Sequence, residues 1–278
     1  QAALDLADAG FKVYLLDESS SIGGTMAQLD KTFPTNDCSM CILAPKLVGA
    51  GRHPNIELIT NARLEEIEGE AGNFQVRIAK KPRYINEEKC NGCGVCSQHC
   101  PVEVPNEFDE RLGIRKAIYV LFPQAVPLKY AIDDEHCLNK TTEYRCELCV
   151  QMCKAQAVDF SQKPQVISLN VGAIILSPGF EEFDPRLKSM YGYGRYPNVV
   201  SSIEFERILS ASGPYGGKTL RPSDGTIPWR IAFVQCVGSR AALVGNNYCS
   251  SACCMYAIKE SEIAMEHTPG IKCTIFFM

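Results

Sequence analysis

The feature that most limits how this chain can fold is the cysteine run Cys90-x2-Cys93-x2-Cys96-x3-Cys100, closed by Pro101. Two-residue gaps curl the backbone so that three thiolates face one volume, while a fourth cysteine followed by proline turns away toward another. Gly92 and Gly94 permit the tight backbone and let N–H groups face what the sulfurs hold. In bacterial ferredoxins this run holds a cubane iron–sulfur cluster. Zinc favours two separated pairs, and neither zinc nor a disulfide framework accounts for so packed a run.

A looser variant follows, Cys137-x8-Cys146-x2-Cys149-x3-Cys153, with Lys154 where a proline usually stands. Two such groups imply a two-cluster ferredoxin module. By analogy with such modules, Cys90, Cys93, Cys96 and Cys153 share one cluster, and Cys137, Cys146, Cys149 and Cys100 the other. A third group, Cys236-x12-Cys249-x3-Cys253-Cys254, matches no generic ferredoxin pattern. Adjacent cysteines pair poorly with each other, and four soft ligands suit a cluster or zinc, with buried structural thiols the bland alternative. The pair Cys38-x2-Cys41 reads as a redox disulfide, two buried thiols, or half a metal site completed from outside the chain. Cys273, in an apolar stretch, reads as core. Metal use on this scale points to a reducing, anaerobic cytoplasm.

The remaining composition is ordinary: 46% apolar and 22% charged residues over 278 positions, with a net charge of −4. That excludes wholesale disorder and gives no electrostatic footprint for nucleic acid. The longest apolar stretches fall far short of the roughly 18 residues of a membrane span. No secretory signal precedes the first domain.

The scaffold reads as α/β. A helix over Ala2 to Ala9, a stop at Gly10 and a buried strand from Phe11 to Asp17 resemble the second half of a dinucleotide-binding βαβ unit. The acid at the strand end would take the ribose hydroxyls, Asp17 first and Glu18 as runner-up. Gly23 and Gly24 would let backbone approach a cofactor. The first strand and glycine-rich loop of such a unit have no counterpart here, so the sequence reads as a stretch of a longer chain. Strands are expected over Asn55 to Ile67 and Asn73 to Ile78, then over Val171 to Leu176 running into a turn at Gly179 and Phe180. A second βαβ should comprise a strand from Arg230, a helix from Cys253 to His267 with Ile258, Ile263 and Ala264 on one face, and a strand from Lys272 to Met278. Cysteines occupy the turn where a pyrophosphate would need bare N–H groups, which suggests iron–sulfur in place of NAD(P)H. The expected division is 1–82, a first part of an FAD-binding domain; 83–160, an inserted two-cluster ferredoxin domain; 161–227, the return of the FAD-binding domain; and 228–278, the start of a second Rossmann-like domain.

The segment Val-Tyr-Leu-Leu-Asp17-Glu18-Ser-Ser-Ser-Ile-Gly23-Gly24-Thr25-Met26, the stretch Thr-Phe-Pro-Thr-Asn-Asp-Cys38-Ser-Met-Cys41, the inserted module, and Phe-Val-Gln-Cys236-Val-Gly-Ser-Arg with Cys249, Cys253 and Cys254 together resemble the iron–sulfur flavoprotein (the A subunit) of heterodisulfide reductase. The resemblance covers essentially the whole chain. It implies a thioredoxin-reductase-like two-dinucleotide-binding flavoprotein fold carrying the α+β ferredoxin insertion. It also implies FAD, held by Asp17, Glu18, Gly23, Gly24, Thr25, Met26 and Gly179, and [4Fe-4S] clusters. Three clusters would come from this chain, and a fourth would be shared if Cys38 and Cys41 ligate. Implied partners are heterodisulfide reductase subunits B and C, a hydrogenase or formate dehydrogenase input module, ferredoxin, and a second copy in a homodimer. In methanogenesis the family serves flavin-based electron bifurcation, reducing ferredoxin and a disulfide of coenzymes M and B together.

A flavin accepts electrons in pairs and clusters carry them singly, so the protein's task is spacing and tuning rather than acid–base chemistry. No catalytic residue is expected in the usual sense. Lys259 could place a cation near the flavin; the bland reading is a solvated lysine among Glu260 and Glu262. His99 and His136 sit beside ligands as surface residues, and Trp229 reads as packing. The alternatives are a component of a related quinone-interacting oxidoreductase, a non-flavin electron wire, and a flavin-dependent NAD(P)H oxidoreductase.

Overall fold

A computed structural model of the chain describes residues 1–179 and 181–278. They form two compact units, one of residues 1–24, 43–105 and 114–178, the other of residues 25–42, 106–113 and 179–278.

In the first unit, α1 (Ala2–Asp8) ends at Gly10, whose φ of 93° only glycine adopts freely. Strand β1 (Val13–Leu16) pairs in parallel with β2 (Ile56–Ile59), Val13 opposite Ile56 and Leu16 opposite Ile59. Helix α2 (Ser39–Arg52) lies between them in sequence, which makes a βαβ connection. The strand expected over Asn55 to Ile67 is two strands: Asn61, at φ 54°, breaks the run between β2 and β3 (Ala62–Glu70). β3 turns back into β4 (Asn73–Lys80) as an antiparallel hairpin. β4 then pairs with β9 (Gln165–Val171), Lys80 opposite Gln165. The intervening residues 81–164 therefore leave and re-enter one sheet between neighbouring strands. Ile59, Ala62, Val76 and Ile78 form the core here, with Leu16 and Ile167 packed against it. The strand expected from Val171 to Leu176 instead ends at Val171, and Ile175 and Leu176 are exposed. Alternation at 165–171 matches the register of β4, whereas the apolar run after it pairs with no strand among the described residues. Phe180 lies outside the described residues.

Short elements make up the stretch between β4 and β9: α3 (Val95–Gln98), β5 (Glu103–Pro105), β6 (Ile114–Lys116), β7 (Ile118–Tyr119), β8 (Ala131–Ile132), α4 (Leu138–Thr141) and α5 (Leu148–Met152). β5 pairs with β6 and β7 with β8, both antiparallel. Their core joins Tyr84, Ile85, Ile118, Ile132 and Ala157 to Cys96 and Cys149. Val104, Ala117, Phe122, Ala125 and Ala131 are buried in the same stretch.

In the second unit, α6 (Ser202–Leu209) starts from a capping box in which Ser201 and Glu204 exchange side-chain and backbone hydrogen bonds. Strands β10 (Arg230–Val234) and β11 (Lys272–Phe276) pair in parallel around α7 (Cys253–His267), the βαβ read from the sequence. Ile208, Leu209, Phe233, Ala257, Ile263 and Ala264 are its core, and Cys273 packs against them. Ile258, expected on that face, is exposed instead, and Trp229 is 57% exposed rather than packed. Arg207 ties three loops together: Nε donates to Asp109 at 3.0 Å, Nη1 to the Gln28 carbonyl at 2.8 Å and Nη2 to Ser212 at 3.3 Å. Among the described residues no helix is long and apolar enough to cross a membrane.

Candidate iron–sulfur and dinucleotide sites

The loop into α3 is shaped by Gly92 at φ 73° and Gly94 at φ 82°. A Cβ on Gly92 would lie 2.9 Å from the Leu128 carbonyl, and one on Gly94 would lie 3.0 Å from the Tyr130 hydroxyl. Both positions therefore need glycine for backbone, and Gly92, which meets a backbone carbonyl, for space as well. Cys96 is buried, and burial pushes its thiol up to about 12, with Cys90, Cys153 and Cys93 adding to the push. Cys149 is likewise pushed up to about 12, by burial and then by Cys137, Cys96, Cys146 and Cys100. Cys153 is thus among the neighbours that act on Cys96, and Cys100 among those that act on Cys149. Cys96 and Cys149 lie where the groups adjoin. Cys100, Cys137, Cys146 and Cys149 line one cavity together with Ile118 and Ile132.

Among the described residues no three His, Cys, Asp or Glu side chains close round a single ion. A cubane places each thiolate on a different iron, so its ligands need not converge on one point. Buried thiols that raise one another's pKa are poor free thiolates, and neutralisation by a bound metal cluster relieves that conflict. His99 hydrogen-bonds the Val95 carbonyl and His136 the Asp133 carboxylate; both are exposed.

In the second unit Cys253 and Cys254 open α7, and Cys236 follows β10 in a left-handed conformation at φ 62°. Cys236 is buried, whereas Cys249 and Cys254 are exposed. The Cys254 thiol is raised, first by Cys253, with Cys236 and Cys249 also contributing. That mutual influence puts all four sulfurs of the third group in one neighbourhood. Cys38 and Cys41 are joined in a disulfide with Cα atoms 5.2 Å apart, the first of the readings their spacing allowed.

The dinucleotide candidates divide between the units. Asp17 stands at the carboxyl end of β1, its Oδ1 accepting from the Ser19 N–H at 2.9 Å; burial raises its pKa against that hydrogen bond. Glu18 beside it is exposed. Gly23 and Gly24 both adopt positive φ, and nothing lies within 4 Å of where a Gly24 Cβ would be. Thr25 and Met26 belong to a 3-10 turn in the second unit, where the Met26 carbonyl accepts from Ser39 at 2.7 Å. Gly179 adopts φ 76° with open space around it.

Lys259 departs from the solvated reading: it is 1% exposed. Its ammonium forms an ion pair with the buried Glu206, donates to the Lys31 carbonyl at 3.0 Å and lies 4.4 Å from the Tyr256 ring centroid. Glu260 is fully buried, and neither of its oxygens meets a donor among the described residues. Burial, then Glu206, raises its pKa well above the usual carboxylate range. Sequence reasoning missed this acid pair, because Glu206 and Glu260 lie on different helices.

These features define an iron–sulfur protein of mixed α/β build with a ferredoxin-type domain, and residues 83–106 match the family model of the 4Fe-4S binding domain. Whole-chain relatives narrow the class. The chain is 54% identical over 278 residues to the iron–sulfur A subunit of the CoB–CoM heterodisulfide reductase of Methanocaldococcus jannaschii, covering all of this chain and 41% of that protein. It is 55% identical to the A subunit of the H2/formate:CoB–CoM heterodisulfide,ferredoxin reductase of Methanococcus maripaludis, again over 41% of that protein. With the A subunit of the ferredoxin:CoB–CoM heterodisulfide reductase of Methanosarcina mazei it shares 46% over 279 residues and 34% of that protein's length. The chain is similar along its whole length to heterodisulfide reductase A subunits, and spans about two-fifths of the length of the first two relatives.

Proposed function

We propose that this chain is the electron-branching part of a heterodisulfide-reductase-type iron–sulfur flavoprotein. The observation that carries the reading is the cavity that Cys100 lines together with Cys137, Cys146 and Cys149, in a chain 54% identical throughout to a heterodisulfide reductase iron–sulfur protein. Cys90, Cys93, Cys96 and Cys153 hold one [4Fe-4S] cluster, Cys137, Cys146, Cys149 and Cys100 a second, and Cys236, Cys249, Cys253 and Cys254 a third. Cys38 and Cys41 would add thiolates to a fourth, shared cluster only once their bond is reduced. Residues 83–160 are the inserted ferredoxin domain, 1–82 and 161–227 the two parts of a thioredoxin-reductase-like FAD domain, and 228–278 the start of a second Rossmann-like domain.

FAD, when bound, supplies the exchange between electron pairs and single electrons. The chain's own residues bind and insulate. Asp17 offers a carboxylate at the end of β1, with Glu18 beside it, and Gly23, Gly24 and Gly179 keep side chains off the backbone. The core around Cys96 and Cys149 excludes water from the clusters. Lys259 serves the core of the second unit, its ammonium taken up by Glu206 and the Lys31 carbonyl. The relatives' names speak of hydrogen, formate, ferredoxin and the CoB–CoM heterodisulfide. Those words favour bifurcation between ferredoxin and a disulfide; the cytoplasmic complex with subunits B and C, an electron-input module and a second copy of this chain is part of the proposal. Anaerobic purification of the whole protein, with iron, sulfide and flavin counted per chain, tests this: at least about twelve irons and one FAD are expected. Fewer than about ten irons contradicts three cubanes, and a brown protein without flavin leaves only an electron wire.

A further inference from the structure

Arg83 is 3% exposed, and its guanidinium reaches in two directions within the first unit. Nη2 donates to the Ser20 carbonyl at 2.6 Å and to Thr60 Oγ1 at 2.7 Å. Ser20 follows β1 and Thr60 follows β2, so these acceptors mark the carboxyl ends of two parallel strands, where α/β units of this kind receive dinucleotides. In the other direction Nη1 donates to the Lys129 carbonyl at 3.1 Å. Lys129 belongs to a strap laid over the first cysteine run. Its Nζ donates to the Cys90 carbonyl at 2.5 Å, the Leu128 carbonyl crowds Gly92, and the Tyr130 hydroxyl crowds Gly94. Nε faces Glu87 at 3.4 Å, an ion-pair distance longer than a well-made hydrogen bond.

Burial disfavours the charged guanidinium, and the carboxylate of Glu87, then the Tyr119 and Cys90 side chains, oppose that effect. Arginine does not give up its proton in proteins, so the charge stays. A fixed cation in a poorly screened interior acts strongly on any neighbouring group that gains or loses charge. A cluster that accepts one electron becomes more negative by one, and such a cation stabilises that state.

We propose that Arg83 is a positioning residue that locks the strap over the first cysteine run to the ends of β1 and β2, and that its charge raises the reduction potential of the group the run holds. The proposal rests on the assignment of a cluster to Cys90, Cys93, Cys96 and Cys153. It makes Arg83 the element through which the ends of β1 and β2 set the energy of that group.

The test is a dithionite titration of the full-length protein followed by electron paramagnetic resonance, the first cluster's signal being the one that Cys93→Ser alters. At the potential where the wild-type cluster is half reduced, Arg83→Gln lowers the reduced-to-oxidised ratio about tenfold, equivalent to 59 mV for a one-electron couple. Arg83→Lys, which keeps the charge and loses the fork, stays within about threefold of wild type. Glu87→Gln, which unmasks the cation, raises the ratio about threefold. The second cluster stays within about twofold in every variant. An unchanged ratio in Arg83→Gln with its iron retained overturns the assignment. If that variant loses iron, an unchanged ratio in Glu87→Gln overturns it. A wild-type protein with no signal sensitive to Cys93 refutes the cluster reading underneath, a different failure.

Discussion

Lys259 provides a sharp energetic test of the second unit. The ion pair between Lys259 and Glu206 is almost wholly out of solvent, and the uncompensated Glu260 carboxyl lies near it. Lys259→Met preserves the stem and removes the charge, leaving Glu206 buried without its partner and the Lys31 carbonyl without its donor. Breaking one side of such a pair costs about 3–5 kcal/mol. With a urea slope of roughly 2–3 kcal/mol per molar, the unfolding midpoint should fall by about 1–2.5 M. Glu206→Gln keeps an acceptor for the Asp30 N–H, which now bonds Glu206 at 2.9 Å, while removing the stranded charge. The double variant should therefore recover at least about half of the loss. The assay is urea unfolding of the anaerobic holoprotein by far-ultraviolet circular dichroism, with cluster absorbance as a second probe. A single-variant shift below about 0.3 M, or a double variant no better than the single, would refute the claim that Lys259 is held by a desolvated ion pair.

Two further outcomes follow from the same geometry. Glu260 has a folded-state pKa raised above 4.5, so the folded protein keeps a proton that the unfolded chain releases. Its contribution is complete below pH 4.5 and is lost as the pH climbs toward the folded value; Glu260→Gln should flatten that decline in a melting-temperature series from pH 5 to 9. An unchanged slope would mean the carboxyl has a partner or solvent. Cys153→Ala and Cys100→Ala should each remove about four irons, and different ones: the first abolishing the signal sensitive to Cys93, the second sparing it. Loss of that signal on replacing Cys100 would show that ligands do not cross between the runs.

Much of the architecture could be read because particular residues leave few options. Cysteine spacing announced the ferredoxin-type domain, and the α7 boundaries followed from Cys253 and the polar end at His267. The parallel pairing of Arg230–Val234 with Lys272–Phe276 followed from two apolar strands flanking one helix. Other features depend on partners remote in sequence. Nothing near Asn61 says that it will adopt a left-handed conformation and divide one expected strand into two. The run at Ile174 to Leu176 is more apolar than Gln165–Val171, yet only the latter finds an edge on β4. Lys259 with Glu260 and Glu262 has the local look of a solvated face, and is buried because Glu206 and the Lys31 carbonyl meet it from elsewhere in the chain. The crossing of Cys100 and Cys153 was expected by analogy with ferredoxins; the fold brings Cys100 into one cavity with Cys137, Cys146 and Cys149, a proximity that spacing alone does not give.

The adjacency of Lys80 and Gln165 on neighbouring strands has an engineering consequence. Chains paired in this way are separated by only about 4.8 Å, a gap that a two-residue Asn-Gly turn spans. Excising the cysteine-rich excursion and closing the cut as a plain three-stranded meander rethreads no other strand, but it also removes Asp109, so the buried Arg207 must be replaced in the same design. A grafted electron carrier of another kind needs a compatible pair of ends at that doorway and an acid in the place of Asp109.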